Sequence, residues 1–244
     1  MNNKKLSYLK NYRKLVASLQ RQVPFEQAMR SAPGGDFNYI GLVERELVVH
    51  LGLRTGDYLI DVGCGSGRLA KPLSEYLTGK YLGIDIVPEL VDYARKLVRR
   101  DDWRFEVAAG LTIPEADHEA DMICFFSVLT HLYHEHSYLY LEEARRVLKP
   151  GGKIVFSFLD FTVEAHWPIF ENTARNADEN APPNVFVGRD AITAWAAHLD
   201  LKIEIIEDAI TPFINLRQPL EQPGGVITQG PVAFGQSLCV LTKR

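Results

Sequence analysis

The sequence predicts an α/β domain: a doubly wound, mostly parallel sheet of seven strands with helices on both faces. Three observations carry this. Short runs rich in β-branched and aromatic residues alternate with amphipathic helical stretches, the pattern of βαβ crossovers and a sheet covered on both sides. A length of 244 residues suits one well-filled core and is short for two. Hydrophobic residues at 46% and charged residues at 24% are ordinary globular usage, which excludes a disordered or fibrous chain.

The elements follow in order. Leu6, Leu9, Tyr12, Leu15, Val16 and Leu19 recur at helical spacing and predict a helix over 4–20. Its other face carries Lys4, Lys5, Lys10, Arg13 and Lys14, a solvated side for which RNA contact is the rival reading. Pro24 and the turn Pro33-Gly34-Gly35 make 22–36 a connector, so 1–36 is expected to act as an N-terminal helix and lid. The main domain, 37–244, opens with a helix over 37–51 that ends at Gly52. Strands are expected at 58–62, 80–84, 103–107, 122–126 and 153–158, with helices at 69–77, 88–100 and 138–148 between them. Pro150 and the glycines after it stop the last of these helices. A helix at 189–199 and strands at 201–207 and 236–242 complete the set. The stretches 159–188, aromatic and loop-like, and 208–235, rich in Pro and Gly, are long inserts expected to wall a substrate pocket.

Charge and cysteine usage narrow the function. A net charge of −4 disfavours a nucleic-acid partner. Cys64, Cys124 and Cys239 are odd in number and lack CxxC spacing, which argues against a disulfide framework or zinc knuckle and for a reducing compartment. The N-terminus lacks the apolar stretch of a signal peptide, and no run of eighteen apolar residues predicts a membrane span. A cytoplasmic protein is expected.

The most informative stretch is Leu59-Ile60-Asp61-Val62-Gly63-Cys64-Gly65-Ser66-Gly67-Arg68-Leu69, a strand running through three alternate glycines into a helix. Glycines serve where backbone turns sharply and a ligand comes close. Asp61 brings a carboxylate to the crevice where open α/β sheets bind ligands. A dinucleotide fingerprint, G-x-G-x-x-G, needs glycine at 68, where Arg68 stands. An acid facing the loop suits a ligand with a free amino group better than a diphosphate, so a nicotinamide dehydrogenase ranks behind other readings.

These residues resemble the first motif of the class I S-adenosylmethionine-dependent methyltransferases of small-molecule type, whose fold is Rossmann-like. Leu82-Gly83-Ile84-Asp85-Ile86 is similar to the second motif, Ala120-Asp121-Met122-Ile123-Cys124-Phe125-Phe126-Ser127 to the fourth strand, and Leu148-Lys149-Pro150-Gly151-Gly152-Lys153 to the turn into the fifth. Four motifs in order, from about Leu42 to Pro150, are far more specific than one. The resemblance implies S-adenosyl-L-methionine as cofactor and S-adenosyl-L-homocysteine as product. It implies that Asp61, Gly63, Cys64, Gly65, Gly67, Phe126 and Ser127 line the cofactor and that Asp85 accepts hydrogen bonds from both ribose hydroxyls. Many relatives carry an acid after the third strand; here Ala108-Ala109-Gly110-Leu111-Thr112 has none. Adenine is then expected against the backbone of Gly110 and Leu111 and the side chains of Ile86 and Leu129.

Methyl transfer from a sulfonium is an in-line displacement that asks mainly for positioning and exclusion of water. A hydroxyl acceptor also needs a base. His131 resembles the histidine that often follows the fourth strand in small-molecule methyltransferases and is the catalytic candidate. His131, His134 and His136, at offsets of three and five, do not share one helical face, so no metal site is expected. Asp160, Glu164 and His166 are secondary candidates for acceptor contacts. Neither an adenine-N6 motif after the fourth strand nor a Pro-Cys nucleophile occurs, and the expected acceptor is a small molecule, most readily at oxygen. Alternatives are an N-methyltransferase and a non-catalytic domain that keeps the fold and binds the cofactor or a partner.

Overall fold

The computed structural model describes residues 10–108, 110–176 and 181–244. Helix α1 (Lys10–Gln22) is the described part of the first expected helix; its expected start, 4–9, lies outside the described residues. The connector is not wholly irregular, because α2 (Phe25–Ser31) forms within it and buries Ala28 and Met29. Helix α3 (Phe37–His50) begins where the Asp36 side chain accepts the Tyr39 N–H at 2.7 Å. It ends in paired bonds, Leu53 N–H to Val48 O and Gly52 N–H to Val49 O, with Gly52 at φ +101°.

The alternating core follows: β1 (Leu59–Val62), α4 (Ala70–Leu73), β2 (Tyr81–Asp85), α5 (Pro88–Val98), β3 (Arg104–Val107), β4 (Ala120–Phe125), a 3-10 turn Leu129–His131, α6 (His134–Val147) and β5 (Leu148–Phe158). Helix α4 is shorter than the expected 69–77. Strand β5 starts earlier than expected: Leu148 pairs with Ala120, and the register then shifts so that Met122 faces Lys153. Pro150 and its glycines sit in that irregularity.

Beyond β5 come a 3-10 turn Glu164–His166, α7 (Trp167–Arg175), α8 (Arg189–His198), β6 (Leu201–Glu207), four two-residue strands β7 (Ile214–Asn215), β8 (Leu220–Glu221), β9 (Ile227–Thr228) and β10 (Pro231–Val232), and β11 (Ser237–Lys243). The expectation of loop throughout 159–188 is corrected by α7, whose aromatics pack on one another: Trp167 stacks on Phe170, and Phe161 meets both Phe170 and Phe186. In the second insert β7 pairs with β10 and β8 with β9, both antiparallel.

The large sheet has the order β3-β2-β1-β4-β5-β11-β6, parallel except for β11, which is antiparallel to both neighbours. Alternate strand residues feed two layers. Ile60, Ile84, Ile123 and Phe156 pack with Leu141, Ala144, Ile192 and Ala196 of α6 and α8. Leu59, Tyr81, Cys124 and Val155 pack with Val43, Leu47, Leu73 and Ala94 of α3, α4 and α5. A third cluster joins Val16, Met29 and Ala32 to Val87 and Leu90, which seats the N-terminal helices over the start of α5. No helix among the described residues is long and apolar enough to cross a membrane, and the three cysteines are free and buried.

Candidate active site

Strands β2 and β4 leave β1 in opposite directions across the sheet, and the crevice beyond the carboxyl ends of β1 and β4 is the switch point of the topology. A cleft of about 950 Å³, including its open mouth, occupies it. The glycine turn forms its floor. Both the Gly63 and Cys64 N–H groups reach the Ile84 carbonyl, at 2.7 and 3.0 Å, tying the turn to β2. Gly63 has φ +76°, and a Cβ there would lie 2.4 Å from Val128 Cγ2. Gly63→Ala therefore combines a left-handed backbone penalty with a clash in the cleft wall, and we expect a loss of about 2–4 kcal/mol in urea unfolding. Adding Val128→Ala should restore the clash component only; a single variant as stable as the parent would contradict this account.

Two buried carboxylates face the turn. Asp61, on β1, accepts the Tyr81 hydroxyl at 2.8 Å. Burial, reinforced by the charges of Glu44 and Asp85, pushes its carboxyl up to about 7, against the opposing pull of Tyr81 and Arg68. Asp85, at the end of β2, accepts the Gly65 N–H at 3.0 Å and the Val87 N–H at 2.9 Å. Burial raises it to about 6, with its backbone donors and Arg13 pulling the other way.

The walls are apolar: Ile86, Leu90, Ala108, Val128, Leu132, Phe126 and Tyr140. The Tyr140 hydroxyl donates to the Gly110 carbonyl at 3.1 Å. Ser127 turns the chain out of β4 at φ +58°, a conformation sparsely populated outside glycine, and its N–H is held by Ser157 Oγ at 2.8 Å, itself bonded to Gln236. His131 lies on the 3-10 turn with Nδ1 2.7 Å from the Pro183 carbonyl. A carbonyl only accepts, so that contact assigns the proton to Nδ1 and the lone pair to Nε2. Burial holds the imidazole below its ordinary pKa, the Pro183 bond opposing. Tyr12 meets the imidazole edge-on, with ring centroids 5.4 Å apart.

Asp61, Gly63, Cys64, Gly65, Asp85, Ile86, Gly110, Phe126, Ser127 and His131 thus share one cleft. Three expected residues do not line it. Gly67 packs under α5, where a Cβ would come 3.1 Å from that of Ala94. Leu111 and Leu129 are buried in the core beneath the wall. Ala109 lies outside the described residues. His134 Nε2 lies 2.9 Å from the Phe186 carbonyl, and the described residues hold no group of three or more potential metal ligands. Asp160 is fully buried on Arg189, and the buried His166 accepts the Asp160 N–H, so neither reaches the cleft. Glu164 begins the 3-10 turn before α7 and is also absent from its lining.

The two inserts, expected to wall a substrate pocket, lie to the side of this cleft. Among the described residues neither insert lines the cleft; 159–188 approaches it through the Pro183 carbonyl, and 208–235 packs on α3 through Ile214, Leu220 and Val232. The N-terminal segment supplies the roof instead, with Tyr12 and Pro33. Arg13 Nε fastens α1 to the Ile86 carbonyl at 2.9 Å, and Asn11 Nδ2 reaches Ala181 O at 3.1 Å. Tyr12, whose hydroxyl is pushed up to about 12 by burial and the nearby Asp85, is a protonated phenol at neutral pH. Reading by motif also missed Glu44, whose charge lies on the apolar face of α3 between Val43 and Leu47; a charge at such a position signals a buried partner. That partner is Arg68, at 2.6 Å.

The donor set suits a ligand with a cation, adjacent hydroxyls and a flat apolar ring. Carboxylates serve the first two, and the apolar walls serve the third. A side chain at Gly65 would enter the space under Pro33, 3.6 Å from its Cγ, space that glycine leaves to a ligand.

Fold and cleft define a class: a doubly wound α/β domain whose ligand cleft is built on a glycine-rich first turn. Residues 60–156 match a family model described as a methyltransferase domain. A 27-O-demethylrifamycin SV methyltransferase from Amycolatopsis mediterranei is 32% identical over 108 residues, 43% of this chain and 39% of that protein. An O-methyltransferase from Penicillium expansum is 28% identical over 145 residues, 58% of this chain and 51% of that one. The chain spans about half the length, or less, of these curated relatives. The solved structure of a TehB-like SAM-dependent methyltransferase from Corynebacterium glutamicum superposes with a TM-score of 0.58 at 23% identity, covering 93% of this chain and 99% of that one. The methyltransferase-domain match thus covers the glycine turn and most of the parallel strands, and solved methyltransferase structures share the fold of the whole domain.

Proposed function

We propose that the protein transfers a methyl group from S-adenosyl-L-methionine to a hydroxyl of a small acceptor in the cytoplasm. The observation that carries this is His131, its proton pinned on Nδ1, in the same cleft as the glycine turn and the carboxylates Asp61 and Asp85. When bound, the cofactor supplies an electrophilic methyl carbon whose bonding electrons leave with sulfur. Asp61 holds the cofactor's ammonium and Asp85 its ribose hydroxyls, while Ile86, Leu90 and Leu132 give its base an apolar slot. His131 Nε2, with its lone pair free of the Pro183 carbonyl, would accept the proton of an acceptor hydroxyl. Tyr12 and Pro33 roof the cleft and exclude water, which favours a small acceptor. Names of relatives that denote O-methyltransferases agree with oxygen as the nucleophile.

Both carboxylates are easier to protonate in the folded chain than in the unfolded one. Without ligand, ionising them therefore lowers stability as pH rises from about 4 to about 7. A ligand that needs the ionised forms reverses their cost. Calorimetry with S-adenosyl-L-homocysteine should show affinity rising between pH 5.5 and 7 and levelling above, with proton release on the rising limb. Absence of heat at every pH would defeat the reading, and binding without transfer to any of a panel of hydroxyl and amine acceptors would favour a non-catalytic member.

A further inference from the structure

We infer that Gln236, acting through Ser157, is a positioning residue for His131: the pair holds the wall beyond β4 in the conformation that presents the imidazole to the cleft. The inference rests on the reading of His131 as the base. Phe126, Ser127, Val128 and His131 line the cleft in succession. Ser127 makes the bend among them at φ +58°, where a side chain is disfavoured and glycine would be the usual choice. A serine stays there only when its surroundings over-determine it.

Those surroundings come from β5 and from the residue before β11. The Ser127 N–H donates to Ser157 Oγ at 2.8 Å, and Ser157 is fully buried. A hydroxyl that accepts from an amide still has its single proton to give. Ser157 gives it to Gln236 Oε1 at 2.7 Å, and Ser127 Oγ donates to the same oxygen at 3.4 Å. An amide nitrogen at that place would meet two hydroxyl protons, so the network assigns the oxygen of Gln236 to it. Two residues earlier, Phe234 packs on Phe126, with ring centroids 5.4 Å apart. The end of the second insert therefore acts on the cleft from behind its wall.

The bend is coupled to the base. The Ser127 carbonyl accepts the Thr130 hydroxyl at 3.0 Å, and the Val128 carbonyl accepts the His131 N–H at 2.9 Å. Both carbonyls swing if Ser127 relaxes to negative φ, and the 3-10 turn that bears His131 swings with them. On its other side the turn is pinned twice, by the Val185 N–H on the Thr130 carbonyl and by His131 Nδ1 on the Pro183 carbonyl, each at 2.7 Å. Relaxation at Ser127 thus pulls against the bond that keeps the proton on Nδ1 and the Nε2 lone pair free.

The test reads the histidine imidazole 15N resonances of the full chain, with and without S-adenosyl-L-homocysteine. His131 is assigned from its absence in His131→Asn. The unmodified protein should show the Nδ1–H tautomer at His131 and a slowly exchanging Ser127 amide. Gln236→Met keeps the length and removes the acceptor. It should mix the two His131 tautomers and speed exchange of the Ser127 amide by about 10-fold or more. The resonances of His118, which precedes β4 at the opposite edge of the sheet, should not move. Gln236→Glu offers an oxygen to both hydroxyls and should restore the parental His131 pattern. Ser157→Ala, which cuts the relay in the middle, should reproduce Gln236→Met.

An Nε2–H tautomer in the unmodified protein overturns the inference without any variant, which covers the case that a variant does not fold. A parental His131 pattern in Gln236→Met overturns it too. So does failure of Gln236→Glu to restore that pattern, which would leave Gln236 as a space-filler. Absence of S-adenosyl-L-homocysteine binding by calorimetry sinks the methyltransferase reading instead, and the ligand-free spectra still decide the relay.

Discussion

Asp85→Ala should abolish high-affinity binding of S-adenosyl-L-homocysteine, lowering it by about 100-fold or more. The side chain does two things at once. One oxygen holds the Gly65 amide and the other the Val87 amide, so the carboxylate shapes the glycine turn before any ligand arrives. Each oxygen has a second lone pair, and two charge-assisted bonds to ribose hydroxyls account for the expected loss. Asp85→Asn separates the roles. It keeps the volume and one acceptor but turns an NH2 donor toward one of the two amides, and should bind about 10-fold more weakly than the parent while unfolding at nearly the parental temperature. Calorimetry and thermal unfolding check both variants. Unaltered affinity in Asp85→Ala would remove this residue from the ligand site.

The second large effect is expected at His131. His131→Ala should lower kcat with a hydroxyl acceptor by about 100-fold or more, the range of a lost general base, and change cofactor affinity by less than about threefold. Because burial holds the imidazole below its ordinary pKa, the base is already unprotonated at neutral pH. The rate limb that reports its titration should therefore lie below pH 6.5 and be absent from the variant. His131→Asn tests whether shape alone suffices, since it can keep a bond to the Pro183 carbonyl without supplying a base. Parental turnover in His131→Ala would take His131 out of the chemistry.

How far the sequence alone leads depends on the range of the interactions involved. The alternation that predicts the sheet is local, and so are the stops at Gly52 and in the Pro150 region. The strand-to-glycine turn carried Asp61, and spacing carried Asp85. Helix α7 was hidden because Pro168 and a cluster of aromatics read as breaker and loop, although proline is well tolerated in the first turn of a helix. Gly67 shows a different failure: a motif glycine is explained by a neighbouring helix, Ala94 leaving no room for a side chain, and not by the ligand cleft. The roof was the least legible part. Tyr12 looks like any apolar position of an amphipathic helix, and only docking of α1 on Val87 and Leu90 brings it to His131. Glu44 and Arg68 are twenty-four positions apart, and their pairing depends on how α3 lies across the glycine turn.

Strand β11 is made after β6 but lies between β5 and β6, running against both. During synthesis β5 and β6 must therefore wait as neighbours with a gap the width of one strand, each with an open row of amides and carbonyls. Gln236, the residue just before β11, also braces Ser157 and through it the strained Ser127 at the edge of the cleft. Vectorial folding from the ribosome can thus assemble the glycine turn early, yet the far side of the cleft stays unbraced until that final zipper closes, and a nascent chain stalled before it would present adhesive edges to its neighbours.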